Sequence, residues 1–331
     1  MQQKNVLNLG SKLMLALDVA VRTLADVQRS ELLFRALDSI QDQSLISARP
    51  IVVVNGNRYD PHTLTKLERR PGIVLHRLQQ ASTGNALAEG RRLVTAAYFA
   101  YLDDDDVFLP DSLLEPLKWM AGHSDCDVLI SNGYFVKSDG TLSEFIHISD
   151  HIRIDQPALS LLDDGWLAPG TSVFRTKSIP EDMLDSRWVQ MEWTRLAFDI
   201  CAAKKRIHFM KIPTALYYDT PGSMSKNAAH QEAALDLMRS IRSDPRMSRE
   251  VRTKADKKYH NALHIAAARC GTKGDFRRAW RYQLASMRAP YTFKYFLFSC
   301  KLLWPGLARK RKASGSILRR IQPVRERKAF N

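Results

Sequence analysis

The sequence predicts an open, mostly parallel α/β sheet flanked by helices and followed by a C-terminal helical extension. Three observations carry that expectation. Over residues 13–103, hydrophobic runs of strand length alternate with segments of helical 3–4 spacing, in the order β-α-β-α-β-α-β. IVVVN (51–55) is a continuous β-branched run, the pattern of a parallel strand buried on both faces. From about residue 228 the strands stop and amphipathic helices follow one another.

The elements follow in order. LMLALDVAV (13–21) reads as a buried strand. RSELLFRALDSIQDQ (29–43) reads as a helix, because Leu32, Leu33, Ala36, Leu37 and Ile40 share one face. NGNRYD signals a turn after the 51–55 strand, and a short helix starts at Leu64. GIVLHRL (72–78) is the third strand, 84–96 a helix, and YFAYL (98–102) the fourth strand. Further on, 111–123 and 188–206 read as helices, 127–136 as a strand, 166–179 as a turn and strand, and 207–219 as a strand pair or bent strand. Three helical segments come next, the second expected to end at Gly271 as its cap. The expected division is 1–227, made of halves 12–110 and 111–227, then a helical extension 228–290 and a tail 291–331.

Hydrophobic content of 45% and charged content of 26% are ordinary for a folded chain, but a net charge of +15 is not. Residues 301–331 carry ten Lys/Arg against one Glu, a basic tail suited to an anionic partner. Cys126, Cys201, Cys270 and Cys300 are scattered without metal-knuckle spacing, which reads as free thiols in a reducing compartment. The N-terminal stretch shows no clear signal-peptide cleavage site, and no run approaches the ~20 apolar residues of a membrane span. The expected location is cytoplasmic, peripheral on the cytoplasmic membrane face. YTFKYFLFSCKLLWPGLARKRK (291–312) sets aromatics and aliphatics before a basic cluster, as a surface helix on anionic lipid would.

The fourth strand runs directly into Asp103, Asp104, Asp105 and Asp106. Ligands of open α/β sheets sit at the carboxyl ends of the strands, which is where these aspartates fall. Alternation along an extended chain points Asp103 and Asp105 one way, Asp104 and Asp106 the other. Two hard carboxylates on one side suit Mn²⁺ or Mg²⁺, whose shell water and a substrate diphosphate complete. On this expectation the repulsion among the four is relieved when a divalent ion and a diphosphate arrive, and Asp106 orients the following turn.

Several stretches then fall in a recognisable order. They are VAVRT (19–23), FRALDSIQDQS (34–44), IVVVNGNRYD (51–60), LAEGRRLVTAAYFAYLDDDDVFLPDSL (87–113), GTSVFRT (170–176), MEWTRLAFDICAAKKRIHFM (191–210) and SMS (223–225). Together they resemble the family-2 glycosyltransferases of GT-A fold, over roughly residues 13–226. The resemblance implies a metal-dependent inverting transfer of a sugar from a nucleotide-sugar donor, most simply a UDP-sugar, to a glycan or lipid-linked glycan. It implies Glu192 as catalytic base, Asp103 and Asp105 as the DxD pair with Asp105 the metal ligand, and Asp104 touching the nucleotide. Val21, Arg22, Thr23, Asn55 and Asn85 would bind the donor. Trp166, Gly170, Thr171, Trp193 and Asp219 are acceptor or pocket candidates. Glu192 stands where the family has its catalytic Asp, and three further departures stand out: Asn55 replaces an acid, Leu87 and Ala88 replace the family's Arg-Asn, and Thr220 replaces a His near the metal, a role Asp219 could take. Two other classes compete with this one. A metal-dependent nucleotidyl- or phosphotransferase shares the aspartate logic but lacks a Walker loop. A nucleic-acid-binding protein fits the charge but lacks any recognition motif, so no nucleic acid is expected.

Overall fold

The computed structural model describes residues 6–9, 12–137, 139–145, 155–184, 188, 190–218 and 228–288, together with 295, 297–299 and 302. The chain divides into two compact units, Met1–His230 and Gln231–Phe330.

The first unit is built on one sheet of ten strands. β1 (Val6–Leu9) forms an antiparallel pair with β2 (Lys12–Thr23). β2 then runs parallel to β3 (Ser47–Asn55) on one side and to β5 (Tyr98–Asp103) on the other, and β4 (Val74–Leu78) lies outside β3, also parallel. The helices α1 (Ser30–Gln41), α2 (Pro61–Arg69) and α3 (Thr83–Arg92) are the crossovers that parallel pairing requires. The expected β-α order is therefore found. β6 (Val107–Phe108), β7 (Val128–Val136), β8 (Leu142–Glu144), β9 (Ser172–Arg175) and β10 (Ile207–Tyr218) complete the sheet in the order β4-β3-β2-β5-β9-β7-β10-β6, with β8 on β7. β9 is antiparallel to both β5 and β7, so the sheet is mixed in its second half. Of the expected 207–219 segment, Ile207–Tyr218 is a single strand with register shifts around Pro213, where proline offers no N–H to the ladder.

The core lies between this sheet and its helices. Leu33, Ala36, Leu37 and Ile40 of α1 are buried against Val19, Val21, Val52 and Val54 of the sheet. α3 packs so closely that a Cβ on Gly90 would stand 2.9 Å from the Ala20 Cβ and 3.4 Å from the Tyr101 ring. α4 (Leu114–Gly122), the short α5 (Pro157–Ser160) and α6 (Glu192–Ala202) fill the second half. α6 is shorter at both ends than the 188–206 helix expected. Lys204 takes a left-handed φ of 53° and ends it, with Lys204 N–H bonding Cys201 O and Lys205 N–H bonding Ile200 O.

The second unit is helical. α7 (Ala228–Ser243) leads into α8 (Arg249–Thr272) and α9 (Phe276–Ser286). Val251, Ala255, Tyr259, Leu263 and Ala267 make a buried stripe along α8. α8 runs past Gly271, the expected cap. The left-handed residue is Gly274 (φ 82°), where Asp275 N–H bonds Cys270 O and Gly274 N–H bonds Gly271 O. No described helix is long and apolar enough to cross a membrane.

Gly90→Ala tests the close α3–sheet approach. Both neighbours are held by the core, so overpacking is expected to cost about 1–3 kcal/mol, read as a lower melting temperature with an unchanged far-ultraviolet spectrum. An unchanged melting temperature would contradict it.

Candidate active site

The aspartates sit where β5 ends, and the geometry corrects one expectation. Only Asp103 is in the strand. Asp104 and Asp105 form a turn closed by Asp106 N–H bonding Asp103 O at 3.2 Å. The turn still separates the side chains into two sets: Asp103 and Asp105 are 30% and 15% exposed, whereas Asp104 is 4% exposed and Asp106 is buried. Asp106 points inward and accepts from Tyr218 N–H at 3.0 Å, tying the turn to the end of β10.

A second correction concerns charge. The repulsion does not wait for a ligand, because arginines already offset it. Arg22, the last residue but one of β2, lies directly beside Asp103, its register partner on β5. Its guanidinium lies 3.5 Å from Asp103 Oδ1 by Nε and 3.3 Å from Glu192 Oε1 by Nη1. Arg29, just before α1, bonds Asp104 Oδ1 through Nη1 and Asp105 Oδ2 through Nη2, the latter at 3.2 Å. Arg35, on α1, donates to Asp105 O at 2.8 Å and lies over the Tyr218 ring at 4.0 Å. Sequence reading singled out Arg22 for the donor but missed Arg29 and Arg35. The available signal was a cation at the start of α1, where the helix dipole disfavours one unless acids lie close.

Burial pushes the Asp104 carboxyl up to about 7, against the opposing pull of Arg29. Burial, then the Asp103 and Asp105 charges, hold Asp106 well above the usual carboxylate range. Asp103 is also raised by burial, although Arg22 opposes it. Arg22 stays a cation: burial alone would lower it, but Asp103, Glu192 and Asp104 outweigh that.

Glu192 opens α6, is buried, and reaches the aspartates only through Arg22. Trp193 follows it, packed edge-on against Tyr101 with ring centres 5.0 Å apart, its buried Nε1 without a hydrogen-bond partner. Asn55 ends β3 and accepts from Ser82 N–H at 2.7 Å, at the start of α3, and Asn85 is exposed one turn on. Thr23 is buried and its hydroxyl oxygen accepts from Ala25 N–H at 2.9 Å. Leu87 is buried and its carbonyl accepts from the Tyr101 hydroxyl, so this position of α3 brings no cation to the site.

Four expected site residues are core. Val21 has a fully buried side chain inside the most central strand pairings. Trp166 is fully buried, packs on Phe209 and donates to Pro157 O at 3.1 Å, leaving no face for a sugar. Gly170 holds a left-handed turn (φ 76°) with Ala215 2.9 Å from where its Cβ would stand. Thr171 is buried and bonds Ala168 O. Asp219, Thr220 and the 223–225 stretch lie outside the described residues.

The donor set can be tested against a divalent ion. Among the described residues no group of three or more His, Cys, Asp or Glu side chains is placed to hold a metal. Asp103 and Asp105 are nonetheless two hard, part-exposed carboxylates, and Asp104 Oδ2 is buried without a hydrogen-bond partner. That chemistry fits a small ion held by one or two protein carboxylates and completed by water and phosphate oxygens.

The fold and this site together are a mixed sheet whose parallel half presents acids and cations at its carboxyl ends, with Glu192 of α6 beside them. Residues 27–179 match the family described as Glycosyl transferase family 2. Its structure resembles that of S. aureus TarS residues 1–349 in complex with UDP-GlcNAc, with a TM-score of 0.58 at 13% identity over 90% of this chain and 88% of that one. A second S. aureus TarS structure matches with a TM-score of 0.56 at 14% identity over 90% of this chain and 53% of that one. At these identities the likeness shows the GT-A fold. No curated protein sequence matches the chain.

The elevated Asp104 carboxyl makes a pH prediction. In the unfolded chain it ionises near 3.9, and in the folded chain at about 7. Between those values the folded state holds the extra proton, so stability from this group falls as pH rises from about 4 to about 7. Asp104→Asn, which keeps an oxygen for Arg29 but cannot ionise, should raise the melting temperature more at pH 8 than at pH 5. The differential is on the order of 1–3 kcal/mol. An equal effect at both pH values would contradict the burial of a titrating carboxyl.

Proposed function

We propose that the protein is a metal-dependent inverting glycosyltransferase that moves a sugar from a UDP-sugar to a hydroxyl of a glycan or lipid-linked glycan. The observation that carries this reading is the Arg22 bridge, which brings Glu192 of α6 to the aspartates of β5. The S. aureus TarS structure whose fold this chain shares was determined with UDP-GlcNAc, which supports a UDP-sugar donor. In this reading the donor lies across the carboxyl ends of β2, β3 and β5. The Asn55 side chain, fixed by Ser82 N–H, offers its amide N–H₂ to the base. Asn85 and Arg22 contact the ribose and diphosphate. Asp103 and Asp105 hold Mn²⁺ or Mg²⁺, which when bound offsets charge on the departing diphosphate. Glu192 accepts the proton of the acceptor hydroxyl as that oxygen attacks the anomeric carbon. Tyr101 and Trp193 wall the site beside it and limit water.

The acceptor surface is a matter of charge. Residues 231–331 carry 25 Lys/Arg against 7 Asp/Glu, a net of +18, while residues 1–230 carry 25 against 28, a net of −3. On α9 and just beyond it, Arg277, Arg281, Leu284 and Arg288 fall at i, i+4, i+7 and i+11, all exposed, with Leu284 at 55%. A basic face with an apolar residue in it suits an anionic lipid surface on the cytoplasmic side, and a lipid-linked acceptor would be met there.

Two measurements test the reading. With a panel of UDP-sugars and Mn²⁺, UDP release should depend on metal and fall at least about 100-fold in Asp105→Ala. Glu192→Gln should keep UDP binding while transfer falls on the order of 10²–10⁴-fold. Full transfer by Glu192→Gln would mean another base. For the surface, flotation with phosphatidylglycerol vesicles should drop sharply in the double variant Arg277→Glu, Arg281→Glu, and phosphatidylcholine vesicles should bind neither protein. Equal flotation of variant and wild type would remove α9 from the membrane contact.

A further inference from the structure

We propose that Arg29 is a built-in counter-ion that holds the cation position of the acidic turn in the donor-free enzyme, so that a divalent ion binds tightly only together with the nucleotide diphosphate. The inference rests on the metal-dependent reading above.

Arg29 spans two carboxylates, Asp104 through Nη1 and Asp105 through Nη2 at 3.2 Å. Asp105 is the side chain expected to ligate the metal. A guanidinium bonded to that Oδ2 and a divalent cation bonded to the same carboxylate repel at short range, in a site where the neighbouring Asp104 is shielded from water. Arg29 is also the most exposed of the site cations whose ion pairs reach the turn, at 30% against 17% for Arg22.

The turn does not depend on Arg29 for its shape. Arg35 holds Asp105 O at 2.8 Å and packs over Tyr218, and Asp106 accepts from Tyr218 N–H. Those contacts fix the backbone while the Arg29 side chain is free to exchange partners.

A diphosphate changes the balance. It brings negative charge and planar pairs of oxygens, which a guanidinium binds bidentately. Arg29 can then move from Asp105 to phosphate, and Asp105 passes to the metal. Metal and nucleotide binding become positively coupled, each tightening the other by the same factor.

The test is Mn²⁺ binding, followed by the electron paramagnetic resonance signal of free Mn²⁺, with and without saturating UDP. The wild type should bind Mn²⁺ at least 10-fold more tightly with UDP. Arg29→Met, which removes the charge and keeps an unbranched stem, should bind Mn²⁺ at least 10-fold more tightly than wild type without UDP, and the coupling should shrink. Arg29→Lys should keep the weak nucleotide-free affinity. Arg29→Met binding Mn²⁺ no better than wild type without UDP would overturn the proposal. If Arg29→Met does not fold, equal Mn²⁺ affinity of the wild type with and without UDP would overturn it. A wild type that binds UDP but never Mn²⁺ would instead remove the metal-dependent reading, and the proposal with it.

Discussion

The constraint on which the site depends is the charge of one turn. Four consecutive carboxylates at the end of a buried strand are tolerable only if each finds an electrostatic or protonic solution. This chain uses three. Arg22 lies between Asp103 and Glu192, Arg29 bonds Asp104 and Asp105, and burial keeps Asp106 well above the usual carboxylate range. The solutions cost stability, since charges are withdrawn from water, and sites that carry such costs are where function is expected.

The fold supplies each partner from a different element. Parallel register places Arg22 beside Asp103. The first crossover brings Arg29 and Arg35 over the turn, and the last strand of the sheet anchors Asp106 through Tyr218. α6 begins with Glu192 at the same place. Residues separated by 70 to 170 positions thus share one small volume. The opposite ends of the strands have a different character. There Arg49 pairs with Asp18, which also accepts from Thr95 and Ala96 N–H, a closed structural set with no acceptor capacity aimed at a ligand.

Much of this was legible in the sequence, and the reasons differ by feature. The strands and crossovers of the first half were legible because β-branched runs such as 51–55 and the apolar face of 29–43 carry their own periodicity. The aspartates were legible because like charges after a buried run are locally improbable. The turn that replaces strand at Asp104 was not, since alternation assumes an extended chain. β9 running antiparallel within the sheet was not legible either, because direction is set by connections rather than by composition. Trp166 was read as a pocket residue because an aromatic face that stacks on sugar rings is equally suited to a core, and only its complete burial separates the two. Arg29 and Arg35 were missed because their role is a contact across 70 to 76 positions, with a local sequence typical of an exposed helix start.

The most direct measurement of the central claim, that the acidic turn is a donor-linked cation site, is a crystal structure with UDP and Mn²⁺ in which Mn²⁺ is located by anomalous scattering. The account predicts an anomalous peak within bonding distance of Asp105, with Arg22 and Glu192 beside the diphosphate and Arg29 moved off Asp105. UDP bound at the ends of β2, β3 and β5 with no Mn²⁺ peak, and Arg29 still on Asp105, would contradict it.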